Sequence, residues 1–356
     1  MMAERAAAGK RDVRRSRGHG TVWWMSGASA LRGLLALTLV AVALAGFACS
    51  SRERDGRGEE LPAGVATPGA AAVTPGCAAP DAGWYAAAGS PQEREIEVQG
   101  AVRRFRLYLP PSAAPGQPLA LVFNFHGLGS SALEQEQYAR LLPLAEREGF
   151  LVVSPEGTGE PRRWQVPGLL GGRAEEGPDF AFFDALLAEL GRRLCIDADR
   201  VYATGMSNGA FFASALACLR PDTVAAVAPV AGVFFPPEGC RGQVPLLAFH
   251  GKQDEVVPYG PGLIFGVIPY RGAGAYVAEW ARQNGCSGEP RRELLTAHVE
   301  RLRYEGCAAD TLLVVVADGG HTWPGSFPVP RLGPTTDEIS AAELMWEFFE
   351  GHARGR

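Results

Sequence analysis

Histidines are few, six in 356 residues, and none stands in an H-E-x-x-H or H-x-x-x-H spacing; C-x-x-C is missing as well. Without the spacings that bring two such ligands together, no metal centre is expected. There is no excess of positive charge either. Lys and Arg number 34 against 39 Asp and Glu, a net charge of -5, so nucleic acid is not an expected partner. No segment repeats. The balance of 47% apolar to 21% charged residues is that of a soluble globular chain with enough apolar material for a sizeable core.

The basic residues gather at the start, where six Lys and Arg face two acids across residues 1–24. An uncharged run follows, "GLLALTLVAVALAGFACSS", residues 33–51, whose dense apolar part from Leu34 to Ala48 has the length of a secretory core. Residues 1–48 are therefore expected to be an export signal, with Met25 as an alternative start and a membrane span as the other reading of the same run. The cysteine count is odd, seven, and Cys49 is the natural one to stand apart. It directly follows Ala48, where a bacterial lipoprotein would be cut and lipidated, which would tie the protein to a membrane through its N-terminus alone. Cleavage after Ala45, releasing the protein, is the alternative. The other six, Cys77, Cys195, Cys218, Cys240, Cys286 and Cys307, are expected to form disulfides in an oxidising compartment, with the pairing left open.

Residues 49–90 are rich in Ala, Gly and Pro without apolar periodicity, and are expected to be a tether; residues 91–356 are expected to form a single domain. "REIEVQGAVRRFRLYLP" alternates on both sides of Gly100 as a hairpin would. Beyond it, "LALVFNFHG", "FLVVSPEG", "RVYATG", "VAAVAPVAG", "PLLAFHG" and "TLLVVVADGG" suit parallel strands covered on both faces. Between them Phe183, Leu186, Leu187, Leu190 and Leu194 recur at helical spacing, and "AYVAEWARQNG" and "DEISAAELMWEFFEGH" do likewise, the last opening on acids. The alternation predicts an α/β fold with a mostly parallel sheet and helices on both faces.

Gly205, Ser207 and Gly209 form a G-x-S-x-G in "ATGMSNGAFF". In a chain with 45 glycines that pattern alone is weak, so its context decides. A β-rich run ends at Gly205 and a helical pattern starts after Ser207, as a nucleophile elbow requires. A serine hydroxyl needs an imidazole to take its proton and a carboxylate to orient that imidazole, in the chain order Ser, acid, His. His321 follows the last strand-like run, and Asp254 lies in the loop after the preceding one, with Glu255 as its neighbour. His250 closes a strand and is expected to be structural; His126 is expected to shape a loop. Two backbone N-H groups for an oxyanion are expected from Asn208 and from the glycine-rich turn "NFHGLGSSA", through Leu128 or Gly127. Trp164 and Trp323 are expected to wall a substrate pocket, with plain packing as the alternative.

Taken together, "FNFHGLGSSA", "RVYATGMSNGAFFA", "VAAVAPVAG", "LLAFHGKQDEVVPY", "WARQNGC" and "GGHTWPG" resemble the bacterial polyhydroxybutyrate depolymerase-type esterases, relatives of the feruloyl esterases. The resemblance spans roughly residues 92–350. It implies an α/β-hydrolase fold, a serine esterase needing no cofactor, and Ser207, Asp254 and His321 as the catalytic triad. It also implies disulfides Cys286–Cys307 and Cys218–Cys240; Cys77–Cys195 follows only by elimination. Many relatives carry paired aspartates where this chain has Pro178 and Asp179, and secreted depolymerases of solid polyester add a binding module for which no room is expected after the final helix. The expected substrates are small or oligomeric short-chain or aromatic esters of the feruloyl, acetyl or hydroxybutyrate type. An acyltransferase with the same triad and a non-catalytic binding protein on a hydrolase scaffold are the rival expectations.

Overall fold

The computed structural model describes residues 72–169 and 176–355. The chain enters through a 3-10 turn, Pro75–Cys77, and a short helix α1 (Ala82–Tyr85), then forms a hairpin from β1 (Gln92–Val98) and β2 (Ala101–Tyr108). Gln99 and Gly100 make its two-residue turn with φ of 51° and 77°, both positive as the twist of a tight hairpin demands. The main body follows: β3 (Leu119–Phe125), α2 (Ala132–Ala139), α3 (Leu141–Glu148), β4 (Leu151–Pro155), α4 (Pro178–Arg193), β5 (Ile196–Met206), α5 (Asn208–Leu219), β6 (Ala226–Val230) and β7 (Leu246–Gly251). A small hairpin, β8 (Gly262–Ile264) and β9 (Ile268–Tyr270), precedes α6 (Ala273–Gln283), and β10 (Ser287–Leu294), β11 (Val299–Glu305), β12 (Thr311–Val316) and α7 (Ala341–Glu350) complete the fold.

Among the described residues ten strands form one sheet in the order β1-β2-β4-β3-β5-β6-β7-β12-β11-β10. The six inner strands, β4 to β12 in that order, are parallel, and an antiparallel pair closes each end. All six are the apolar runs expected from the sequence. β3 shows why those runs are continuous: Leu121 and Phe123 face one core with Phe183, Leu186 and Leu190 of α4, while Ala120 and Val122 face the other with Trp346 and Phe349 of α7. A strand covered on both sides has no face left for polar residues. Helix α7 starts later than its acids suggest. Ser340 is the N-cap, accepting the Glu343 N-H at 3.3 Å, whereas Glu338 lies outside the helix and pairs with His298.

The expected tether ends too late, because residues 72–90 are part of the folded body. Thr74 exchanges backbone and side-chain hydrogen bonds with Leu194 and Ile196, and Asp81 pairs with Arg193 at 2.8 Å. A Cβ at Gly76 would sit 2.3 Å from the Leu194 carbonyl oxygen, so only glycine allows this close approach. The segment shows no apolar periodicity since backbone bonds and a disulfide hold it, not an apolar face. That disulfide is Cys77–Cys195; Cys218–Cys240 and Cys286–Cys307 are the others. The signal region, Met25 and Cys49 lie outside the described residues. No helix among the described residues is long and apolar enough to cross a membrane.

Candidate active site

Ser207 stands between the end of β5 and the start of α5 with φ 56° and ψ -120°, a conformation that non-glycine residues seldom adopt. The turn is tight enough to exclude side chains on either flank. A Cβ at Gly205 would meet the Phe125 carbonyl oxygen at 2.6 Å, and one at Gly209 would meet it at 2.2 Å. The elbow is anchored by the Ser207 N-H donating to Val230 O at 2.9 Å. Beneath it, the Phe212 ring packs within 5.0–5.2 Å of Phe125, Phe180 and Trp164. Truncating such a buried ring costs about 3–5 kcal/mol, so the core that supports the elbow is also a main source of stability.

Asp254 follows β7 and His321 follows β12, so both reach the site from the carboxyl ends of parallel strands, as Ser207 does. Their side chains meet: His321 Nδ1 lies 2.7 Å from Asp254 Oδ2. The other carboxylate oxygen accepts the N-H groups of Val256 and Val257 at 2.9 and 2.8 Å. With Nδ1 donating to the carboxylate, Nε2 of neutral His321 is left as the proton acceptor. The residue that carries the imidazole is steadied by its backbone N-H, which donates to Leu332 O at 2.7 Å. Ser207 and His321 line one cavity of about 460 Å³. A second imidazole, His250, approaches Asp254 at 3.6 Å, but its Nε2 proton is committed to Val257 O at 2.9 Å. Burial pushes its pKa below the usual histidine value, so it stays neutral and structural.

On the far side of Ser207, Gly127 and Leu128 form the turn after β3 and line the same cavity. Asn208, first residue of α5, has a backbone N-H with no acceptor one turn earlier in the helix. Its side chain forms a reciprocal pair with the main chain of Trp164, accepting its N-H at 2.7 Å and donating to its carbonyl at 3.1 Å. His126 donates from Nδ1 to Gly127 O at 2.8 Å and accepts the Gly157 N-H on Nε2 at 2.8 Å, so both ring nitrogens are used. Burial lowers the pKa of His126, favouring this neutral tautomer. Asp179 is fully buried; it pairs with Arg103 at 2.8 Å and accepts the Gln165 N-H, fixing the stretch that carries Trp164.

Trp164 and Trp323 are not pocket walls. Both are buried, and neither lines the cavity: Trp164 packs on Phe212 and donates Nε1-H to His126 O at 2.9 Å, and Trp323 lies in the core that contains Trp346. The aromatic walls are Tyr138, Phe265 and Phe327, from three separate segments. Of these, Phe265 gives a local signal, a bulky apolar residue amid the glycines and prolines of "PYGPGLIFGVIPY". Among the described residues no group of three or more His, Cys, Asp or Glu could hold a metal ion.

A serine on a strand-to-helix elbow, an acid and a histidine on later strand ends, and helices on both faces of a parallel sheet define an α/β-hydrolase. Residues 103–241 match the family model described as esterase PHB depolymerase. The protein named "Putative esterase NocK" from Nocardia uniformis subsp. tsuyamanensis is 33% identical over 287 residues, covering 72% of this chain and 82% of that one. Feruloyl esterase D of Neurospora crassa is 29% identical over 266 residues, covering 71% and 83%. Among solved structures, an acetyl xylan esterase from Aspergillus awamori superposes with a TM-score of 0.54 at 15% identity, covering 74% of this chain and 99% of that one, a likeness of fold. The chain belongs to the esterase PHB depolymerase family and is a carboxylic ester hydrolase. Its three disulfides are of a kind that forms and persists in an oxidising compartment.

Proposed function

We propose that Ser207, His321 and Asp254 cleave short-chain or aromatic carboxylic esters through an acyl-enzyme. The observation that carries this reading is the 2.7 Å His321–Asp254 bond beside a serine held at positive φ in one cavity. His321 Nε2 takes the Ser207 proton as Oγ attacks the ester carbonyl, and Asp254 holds the imidazole and balances its charge. The N-H groups of Asn208 and Leu128 receive the negative oxygen. His321 then returns the proton to the departing alcohol, and water repeats the sequence to free the acid. Tyr138, Phe265 and Phe327 favour flat or apolar ester groups, in keeping with relatives named for feruloyl esters. The substrate is a small or oligomeric ester, and the protein works outside the cytoplasm, held by a lipid on Cys49.

Hydrolysis of p-nitrophenyl butyrate, methyl ferulate, acetylated xylan and hydroxybutyrate oligomers should single out the acyl group. Ser207→Ala should lower kcat by roughly 10⁴-fold or more on every substrate that is cleaved. Retention of full activity by that variant would overturn the assignment. Loss of the lipid-bearing form in Cys49→Ser, read by mass spectrometry, tests the anchor.

A further inference from the structure

We propose that Arg331 forms an anion subsite on the alcohol side of the cleft, so that the favoured substrates are O-acyl derivatives of hydroxy acids, with a carboxylate on the alcohol half. This deepens the reading of Ser207 and His321 above and rests on it. Because His321 returns its proton to the departing oxygen, the alcohol half lies against the His321 wall. That wall is the segment Val329–Leu332, whose Val329, Arg331 and Leu332 all line the cavity.

Arg331 is held in register with His321 by the backbone. It lies in a 3-10 turn, Pro330–Leu332, in which Leu332 N-H donates to Val329 O at 2.8 Å. Leu332 O accepts the His321 N-H at 2.7 Å, and the Gly320 N-H donates to Pro334 O at 2.8 Å. A Cβ at Gly320 would meet Leu332 O at 2.5 Å, so the two segments run in direct contact. Arg331 therefore springs from a main-chain segment bonded to that of His321, while its long side chain keeps its reach.

The charge of Arg331 is uncommitted. Among the described residues lining the cavity, Glu134 and Arg331 are the fully charged ones besides the titratable His321. Glu134 accepts the Ser130 hydroxyl at 2.8 Å, whereas Arg331 has neither an ion pair nor a side-chain hydrogen bond among the described residues. Most of the remaining wall is apolar, including Met206, Val256, Phe265 and Phe327. A planar, permanently charged fork at the mouth of an apolar cleft matches a carboxylate in a bidentate way. Glu134 disfavours a second anion, so the class is a monoanion with a neutral acyl group. Water adds across the ester to give the free acid and the hydroxy acid.

The test compares isosteric pairs: O-butanoyl glycolate with O-butanoyl glycolamide, and O-butanoyl p-(hydroxymethyl)benzoate with its benzamide, the two alcohols differing in reach. At low salt the wild type should prefer at least one carboxylate over its amide by about fivefold in kcat/KM. Arg331→Gln should abolish that preference, Arg331→Glu should reverse it, and Arg331→Lys should keep part of it. The preference should also shrink with added salt. Taking the ratio within each variant cancels general damage to the fold. Equal ratios in wild type, Arg331→Gln and Arg331→Glu, or an amide preference in the wild type, would overturn the subsite. Cleavage of p-nitrophenyl butyrate and its loss in Ser207→Ala report separately on the reading beneath it.

Discussion

Behind Ser207, His126, Trp164 and Asn208 are buried, and their ring nitrogens, indole N-H and side-chain amide all have partners. In front of it, Phe265 and Phe327 are 52% and 47% exposed, and Arg331 is exposed with no side-chain partner among the described residues. The two sides of Ser207 thus differ in what fixes them. The support behind it is over-determined, as positioned N-H donors require, since an oxyanion gains most from dipoles that need not reorganise. The mouth is set by a few side chains on short turns, so it can diverge between relatives without disturbing the reaction. Phe265 makes the contrast concrete: it sits at the tip of the β8–β9 hairpin with φ 51°, where glycine or asparagine is the usual occupant.

The sharpest way to break this contrast is Asn208→Ala. It removes both bonds to Trp164 but leaves the residue's own N-H in the chain. We expect kcat to fall by about 10- to 100-fold with KM little changed, and stability to fall by roughly 1–3 kcal/mol because the Trp164 N-H is left buried without an acceptor. Steady-state kinetics and urea unfolding check both numbers; a variant that lost KM alone would move Asn208 to the mouth.

At the mouth the expected signs differ. Phe265→Gly should raise KM for aromatic esters by roughly three- to tenfold and leave kcat near the wild-type value. Its stability should stay within about 1 kcal/mol of wild type, because relief at positive φ offsets lost contact. A fall in kcat as large as that of Asn208→Ala would erase the distinction between the support behind Ser207 and the mouth.

The smallest effect concerns pH. Burial lowers the pKa of His126 and His250 below the ordinary 6.5. Folding therefore favours their neutral forms. That contribution is complete above the ordinary value and is lost as pH falls below it towards the depressed folded pKa values. His298 works in the opposite sense: Glu338 raises its pKa, so its contribution is complete below 6.5 and lost as pH rises through the folded value. Thermal midpoints should accordingly drop between about pH 6.5 and pH 5, and Gln at position 298 should leave that acid limb in place. An acid limb missing from the wild type would contradict the buried neutral imidazoles.

Much of the catalytic machinery was legible in the chain because its demands are local. Gly205 and Gly209 flank Ser207 between a strand-like run and a helical one, a context that gives the weak glycine pattern its meaning, and Asp254 and His321 each follow an apolar run that becomes a strand. The mouth was largely illegible, because Tyr138, Phe265 and Phe327 converge from distant segments and, apart from the turn residues around Phe265, nothing in the sequence separates them from Trp164 and Trp323, which the core absorbs. Bulk and aromaticity were the same in both groups; only the tertiary arrangement decided which rings met solvent. The start of the domain was missed for another reason. Periodicity reports apolar faces, and the segment near Cys77 has none.

That segment also settles how the folded body would take a pull. Residue 72 lies by the foot of β5, near Cys195, and the strand's opposite tip delivers Ser207. Tension on the incoming chain passes through a covalent link into the middle of the sheet and does not peel away a terminal strip. The cleft opens at the other rim, so load entering by residue 72 reaches the body a strand's length away from its reacting groups.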